Sequence, residues 1–129
     1  HVDLRERLHL LTEPVEKVRA DARAERGRMV DRLREFGLAY GSPTEREIIE
    51  AMHCYIARTP AELLAISLAD AVGERKAQNV PGTDQEYENW RVPLSDSSEQ
   101  LVLVEDLATN PRLHSLFNRF KEELAANRG

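Results

Sequence analysis

The chain has 129 residues, a net charge of −5 and 32% charged residues of both signs. That balance argues against nonspecific binding to nucleic acid or to an anionic membrane, because phosphate contacts need clustered Lys and Arg, and no stretch nears the roughly 18 apolar residues of a membrane span. Leu, Ile, Val and Phe make up about a quarter of the chain, above the roughly 20% below which disorder is expected, so a small core is affordable within one domain.

In chain order, Thr12 with Pro14 behind it opens a long predicted helix. Val15, Val18, Ala22, Met29, Leu33 and Phe36 recur along it at spacings near three, four or seven, and Gly37 ends it. Its other face mixes acids and bases from Glu16 to Arg32 and reads as a solvated surface. A second helix begins at Thr44, where Thr44-Glu45-Arg46-Glu47 is a capping box, and Ile48, Ile49, Met52, Tyr55 and Ile56 form its apolar side. Cys54, the single cysteine, excludes an internal disulfide and reads as a buried structural thiol in a reducing, cytoplasmic protein.

Thr59-Pro60 restarts the chain, and Leu63-Leu64-Ala65-Ile66 is a short apolar run that periodicity alone assigns to neither strand nor helix. Asp70 is expected to cap a helix beyond it. Past the polar connector Ser95-Asp96-Ser97-Ser98 and the apolar Leu101-Val102-Leu103-Val104, Asn110-Pro111 supplies an N-cap and a first helical residue. Leu113, Leu116, Phe117, Phe120 and Leu124 make the terminal helix amphipathic. His1, His9, His53 and His114 stand too far apart for a ligand spacing, so neither a metal nor a cofactor is expected. No secretory leader is expected at the start either.

Between these elements lies Gln78-Asn79-Val80-Pro81-Gly82-Thr83, followed by Glu86-Tyr87-Glu88-Asn89-Trp90-Arg91. Pro81 fixes one backbone dihedral and Gly82 permits a positive one, so residues 80–83 should form a tight turn. Amide groups beside an exposed indole suit a sugar, whose hydroxyls need paired hydrogen bonds while its C–H faces lie on a ring. Two readings stand for each key side chain: Asn79 caps a turn or contacts sugar, and Trp90 is a buried anchor or a stacking platform.

Asn-Val-Pro-Gly-Thr, a spacer carrying Tyr87, then Asn-Trp-Arg resembles the C-terminal motif of the 4-alpha-glucanotransferases, the amylomaltases or disproportionating enzymes. His1 to Arg5 and residues 51–73 resemble the family's flanking segments, and Glu88 departs from the proline or lysine of many relatives. The resemblance implies the C-terminal part of a (β/α)₈ barrel: mainly helical in isolation, with one or two short strands, residues 63–66 being one. It implies substrate-binding roles for Asn79, Pro81, Gly82, Asn89 and Trp90 in a loop at 78–91. It assigns no catalytic residue, because the family's catalytic carboxylates precede the point where this chain begins.

Residues 1–129 are thus expected to be a single C-terminal fragment, inactive alone, of a retaining enzyme that transfers alpha-1,4-glucan segments between maltooligosaccharides. The expected partners are that glucan and the missing N-terminal part of the barrel, with self-association of the fragment through its unpaired strand. The alternatives are an autonomous helical protein-interaction module, which explains the capped helices but not the loop, and a carbohydrate-binding remnant that folds alone.

Overall fold

The computed structural model describes residues 1–128. Helices begin at Thr44 and Asn110 and one ends at Gly37, as the capping signals there indicate. Helix α1 covers Val2–Arg7, α2 Val15–Glu35, α3 Glu45–Ala57, α4 Leu68–Val72 and α5 Pro111–Arg128, with a 3₁₀ turn at Val104–Thr109. The chain divides into two units: His1–Met29 with Lys76–Pro93, and Val30–Arg75 with the chain from Leu94 on.

Helix α2 starts after Pro14, whose carbonyl accepts from the backbone N–H groups of Lys17 and Val18, so Pro14 and not Thr12 is the cap position. A proline suits that place because it has no N–H to leave orphaned. The helix ends as the sequence indicates. Gly37 has φ +67°, the Leu38 N–H bonds the Leu33 carbonyl at 2.9 Å, and the Gly37 N–H bonds the Arg34 carbonyl at 2.9 Å, which is a Schellman ending with both apolar residues, Leu33 and Leu38, buried.

In the first unit, Arg19 of α2 joins Asp3 at 2.9 Å and Glu6 at 3.0 Å on α1, and Glu16 at 3.2 Å on its own helix. Helix α1, which shows no periodic signal in the sequence, is thereby tethered by charge more than by packing. Val80 is the only fully buried residue of this unit among the described residues. With so thin a core, the order of residues 76–93 rests on hydrogen bonds.

The second unit carries the main core. Thr44 and Glu47 make the reciprocal cap of α3: the Thr44 hydroxyl accepts from the Glu47 backbone at 3.3 Å, and the Glu47 carboxylate accepts from the Thr44 backbone at 2.7 Å. Helix α3 buries Ile48, Ala51, Cys54 and Ala57, a stripe at spacings of three, and packs on α5, which buries Leu116 and Phe120 one turn apart. Asn110 caps α5 by accepting from the backbones of Arg112 and Leu113, each at 3.0 Å. Helix α4 also packs on α5. Its cap is Ser67, whose hydroxyl accepts from the Asp70 backbone at 3.3 Å, while Asp70 sits in the first turn, where a carboxylate suits the helix dipole.

The expected strand at residues 63–66 is not formed: the run has no regular structure and Leu63 is 93% exposed. A strand needs a neighbour for its backbone N–H and C=O groups, and the described residues contain one isolated antiparallel bridge, Ser95 to Leu101, far from that run in sequence. The protein is therefore mainly helical with almost no strand pairing.

Gly73 closes α4 with φ +89°, and a Cβ there would stand 2.7 Å from the Arg112 guanidinium. That guanidinium, only 15% exposed, pairs with Glu45 at 3.3 Å and would have to leave its place. Gly73→Ala is expected to cost about 2 kcal/mol, mostly from the left-handed backbone, and a chemical denaturation midpoint equal to that of the unmodified protein would count against this account.

Candidate functional site

The sequence loop at residues 78–91 belongs to the first unit, and its internal geometry is well defined. The Thr83 N–H bonds the Val80 carbonyl at 3.2 Å with Gly82 at φ +89° in the third position, a type II turn with Pro81 second. The Thr83 hydroxyl donates to the same carbonyl at 2.7 Å. Pro81 and Gly82 lie exposed at the turn tip, and their work is backbone geometry.

Asn89 occupies the centre. Its Oδ1 accepts from the Val80 N–H at 2.7 Å, and its Nδ2 donates to the Thr83 hydroxyl at 2.8 Å and the Thr83 carbonyl at 3.2 Å. Both ends of the amide are thus engaged inside the loop. Asn79 differs: it is exposed and enters no hydrogen bond among the described residues, so the turn-capping role weighed for it belongs to Asn89. The sequence alone does not separate these two asparagines, since both flank the turn.

Two further bonds close the base of the loop. The Trp90 N–H reaches the Gln78 carbonyl at 2.7 Å, and the Tyr87 hydroxyl donates to the Ala77 carbonyl at 2.6 Å. Tyr87 is therefore a scaffold residue that the residue pattern did not single out; its signal, an aromatic with a polar tip inside a polar spacer, is weak.

Trp90 has φ +61° and is 76% exposed. A bulky residue rarely holds that backbone, at a cost of order 1–3 kcal/mol, and such positions cluster where function constrains the chain. The buried-anchor reading does not describe this indole. It offers an apolar face to solvent, and its backbone N–H bonds Gln78, the sequence neighbour of the free Asn79.

Beside the loop, α1 and residues 76–92 line a groove of about 370 Å³. Leu4, Leu8, Tyr87 and Val92 give it an apolar side, and Arg7, Lys76, Glu86 and Glu88 a charged one. The backbone N–H groups of Asp84 and of Glu86 itself hold the Glu86 carboxyl below the usual carboxylate range, and the Asp84 bond is 2.8 Å. Glu86 is thus an anion at neutral pH and no proton donor.

Elsewhere, burial pushes the Cys54 thiol up, so it is a packing residue and not a nucleophile. The buried His53 ring bonds the Ile49 carbonyl through Nδ1 at 2.8 Å. Among the described residues no three His, Cys, Asp or Glu side chains gather where a metal ion could be held, and no helix is long and apolar enough to cross a membrane.

A family model described as 4-alpha-glucanotransferase matches residues 12–100, a span that contains the whole loop. The chain belongs to the 4-alpha-glucanotransferase family. Among its relatives, the 4-alpha-glucanotransferases of Mycobacterium bovis and of two Mycobacterium tuberculosis strains are 49% identical to it over 117 residues. That alignment covers 89% of this chain and 16% of each relative, so the chain spans about a sixth of the length of the proteins it matches. No solved structure matches it significantly.

Proposed function

We propose that this chain is the C-terminal portion of a 4-alpha-glucanotransferase and that residues 78–91 form part of the wall of its glucan cleft. The observation that carries the reading is the loop itself: a latched turn with the free Asn79 amide on its N-terminal flank and the exposed Trp90 face on its C-terminal flank, the two flanks joined by the bond from the Trp90 backbone N–H to the Gln78 carbonyl. In this reading Trp90 stacks on a pyranose ring of an alpha-1,4-glucan, and Asn79 pairs with a hydroxyl. Pro81 and Gly82 let the backbone come close to the sugar.

The reaction is a retaining transfer, in which one carboxylate forms a glycosyl-enzyme intermediate and a second carboxyl group protonates the departing sugar. Neither is assigned to a residue of this chain, which alone is inactive; the remaining part of a (β/α)₈ barrel supplies them, and the cleft loops lie beyond the strand ends. A wall that orders the acceptor hydroxyl and limits water favours transfer over hydrolysis.

Calorimetric titration of the chain with maltooligosaccharides tests the cleft reading. Saturable binding is expected, weakened about tenfold or more in Trp90→Ala through loss of the stacking face. Equal isotherms for the two proteins would sink it. In the longer enzyme, Asn79→Ala should slow disproportionation; unchanged kinetics would remove Asn79 from the site.

A further inference from the structure

We infer that Asn89 is a positioning residue: its side-chain amide, and not the packing of the unit, holds the turn at residues 80–83 in place and so sets where Asn79 and Trp90 stand. The assignment of a purpose to that positioning rests on the glucan-cleft reading, whereas the latch itself does not.

Val80 is the only fully buried residue of its unit among the described residues, so apolar packing fixes one point and leaves the tip at Pro81 and Gly82 exposed. Asn89 reaches across nine residues to the Val80 N–H and across six to Thr83. One planar amide thereby ties both ends of the turn. Its acceptor and its donor group lie in one plane, as they do in glutamine, but glutamine is one methylene too long for these distances.

The same residue precedes Trp90, whose N–H is held by the Gln78 carbonyl. With Asn89 fixed from one side and Gln78 from the other, the left-handed backbone at Trp90 is over-determined, as a strained position must be to persist. A ligand that meets a loop already held in shape loses less freedom on binding.

Trp90 is the only tryptophan, so its fluorescence anisotropy reports loop order without any sugar. Asn89→Asp keeps the acceptor toward Val80 but sets a carboxylate oxygen against the Thr83 carbonyl. At neutral pH the variant is expected to show lower Trp90 anisotropy and about tenfold weaker maltotriose binding, with the far-ultraviolet helical signal unchanged. As pH falls, the protonated carboxyl regains an O–H donor toward Thr83, and both readouts should return toward those of the parent protein measured at each pH.

Unchanged anisotropy in Asn89→Asp, or a loss that acid does not reverse, overturns the assignment. Should Asn89→Asp lose its helical signal, Asn89→Gln decides instead: it keeps the amide and leaves the Thr83 bonds within the turn intact but is one methylene too long to reach both ends, and lowered anisotropy supports the latch while unchanged anisotropy overturns it. A parent protein that binds no maltotriose, beside an Asn89→Asp variant that shows the reversible anisotropy change, keeps the latch and loses the glucan reading.

Discussion

Leu116→Ala should lower the thermal unfolding midpoint by roughly 10 °C, the largest effect expected of any single truncation in the second unit. Leu116 is 1% exposed and sits one turn from Phe120 on the face of α5 that packs on α3. Truncation removes the transfer free energy of the side chain and leaves a cavity that two capped helices cannot close by sliding, together about 3 kcal/mol. Phe117, on the same helix but 37% exposed, provides the contrast: Phe117→Ala leaves no enclosed cavity and should shift the midpoint far less. Differential scanning calorimetry of both variants separates the cases. Similar small shifts would mean that the α3–α5 seam is not the core of this unit.

The helices were legible because their signals are local. The reciprocal cap of Thr44 and Glu47, the Asn110-Pro111 start and the Gly37 stop each act within one turn, and each forms as written in the sequence. The apolar stripe of α5 likewise finds Leu116 and Phe120, while Val30, buried on α2, falls outside the stripe read for that helix. Helix α1 was not legible because its six residues depend on Arg19, twelve or more positions away, whose salt bridges no local pattern announces.

Residues 63–66 failed for the opposite reason. A strand is a relation between segments, and a run of four apolar residues says nothing about whether a partner lies beside it. In the loop, the turn chemistry of Pro81 and Gly82 could be read, as could the family motif that names the segment. Which of Asn79 and Asn89 points inward could not, because that depends on a bond spanning nine residues. Charged side chains follow the same rule: no local pattern marks Glu50, yet it is buried on α3 and bonded to Ser115 and Arg119 of α5, more than sixty positions away.

Glu50→Gln should remove much of the acid sensitivity of that unit. The Glu50 carboxylate, 7% exposed, accepts from Ser115 Oγ at 2.7 Å and Arg46 Nε at 3.1 Å through Oε1, and from Arg119 Nη1 at 2.8 Å through Oε2. Burial works to raise its pKa, but the hydrogen bonds from Arg119, Ser115 and Arg46 outweigh it and hold the carboxyl below the usual glutamate range. A carboxyl whose pKa is lower folded than unfolded stabilises the fold above its unfolded value, near 4.3, and that contribution is lost as pH falls through the folded value. At neutral pH the substitution is expected to cost about 2 kcal/mol, less than a fully enclosed pair, because Arg119 and Arg46 are each more than a third exposed and rehydrate. In acid the parent protein protonates Glu50 and loses the same interaction, so the two stability curves should converge. The variant keeps a shallower slope of its own, since Arg58, chiefly by its hydrogen bond, also holds Glu123 below the usual range. Thermal midpoints of both proteins across the acid range decide it: converging curves place the acid-labile charge at Glu50, and parallel curves place it elsewhere.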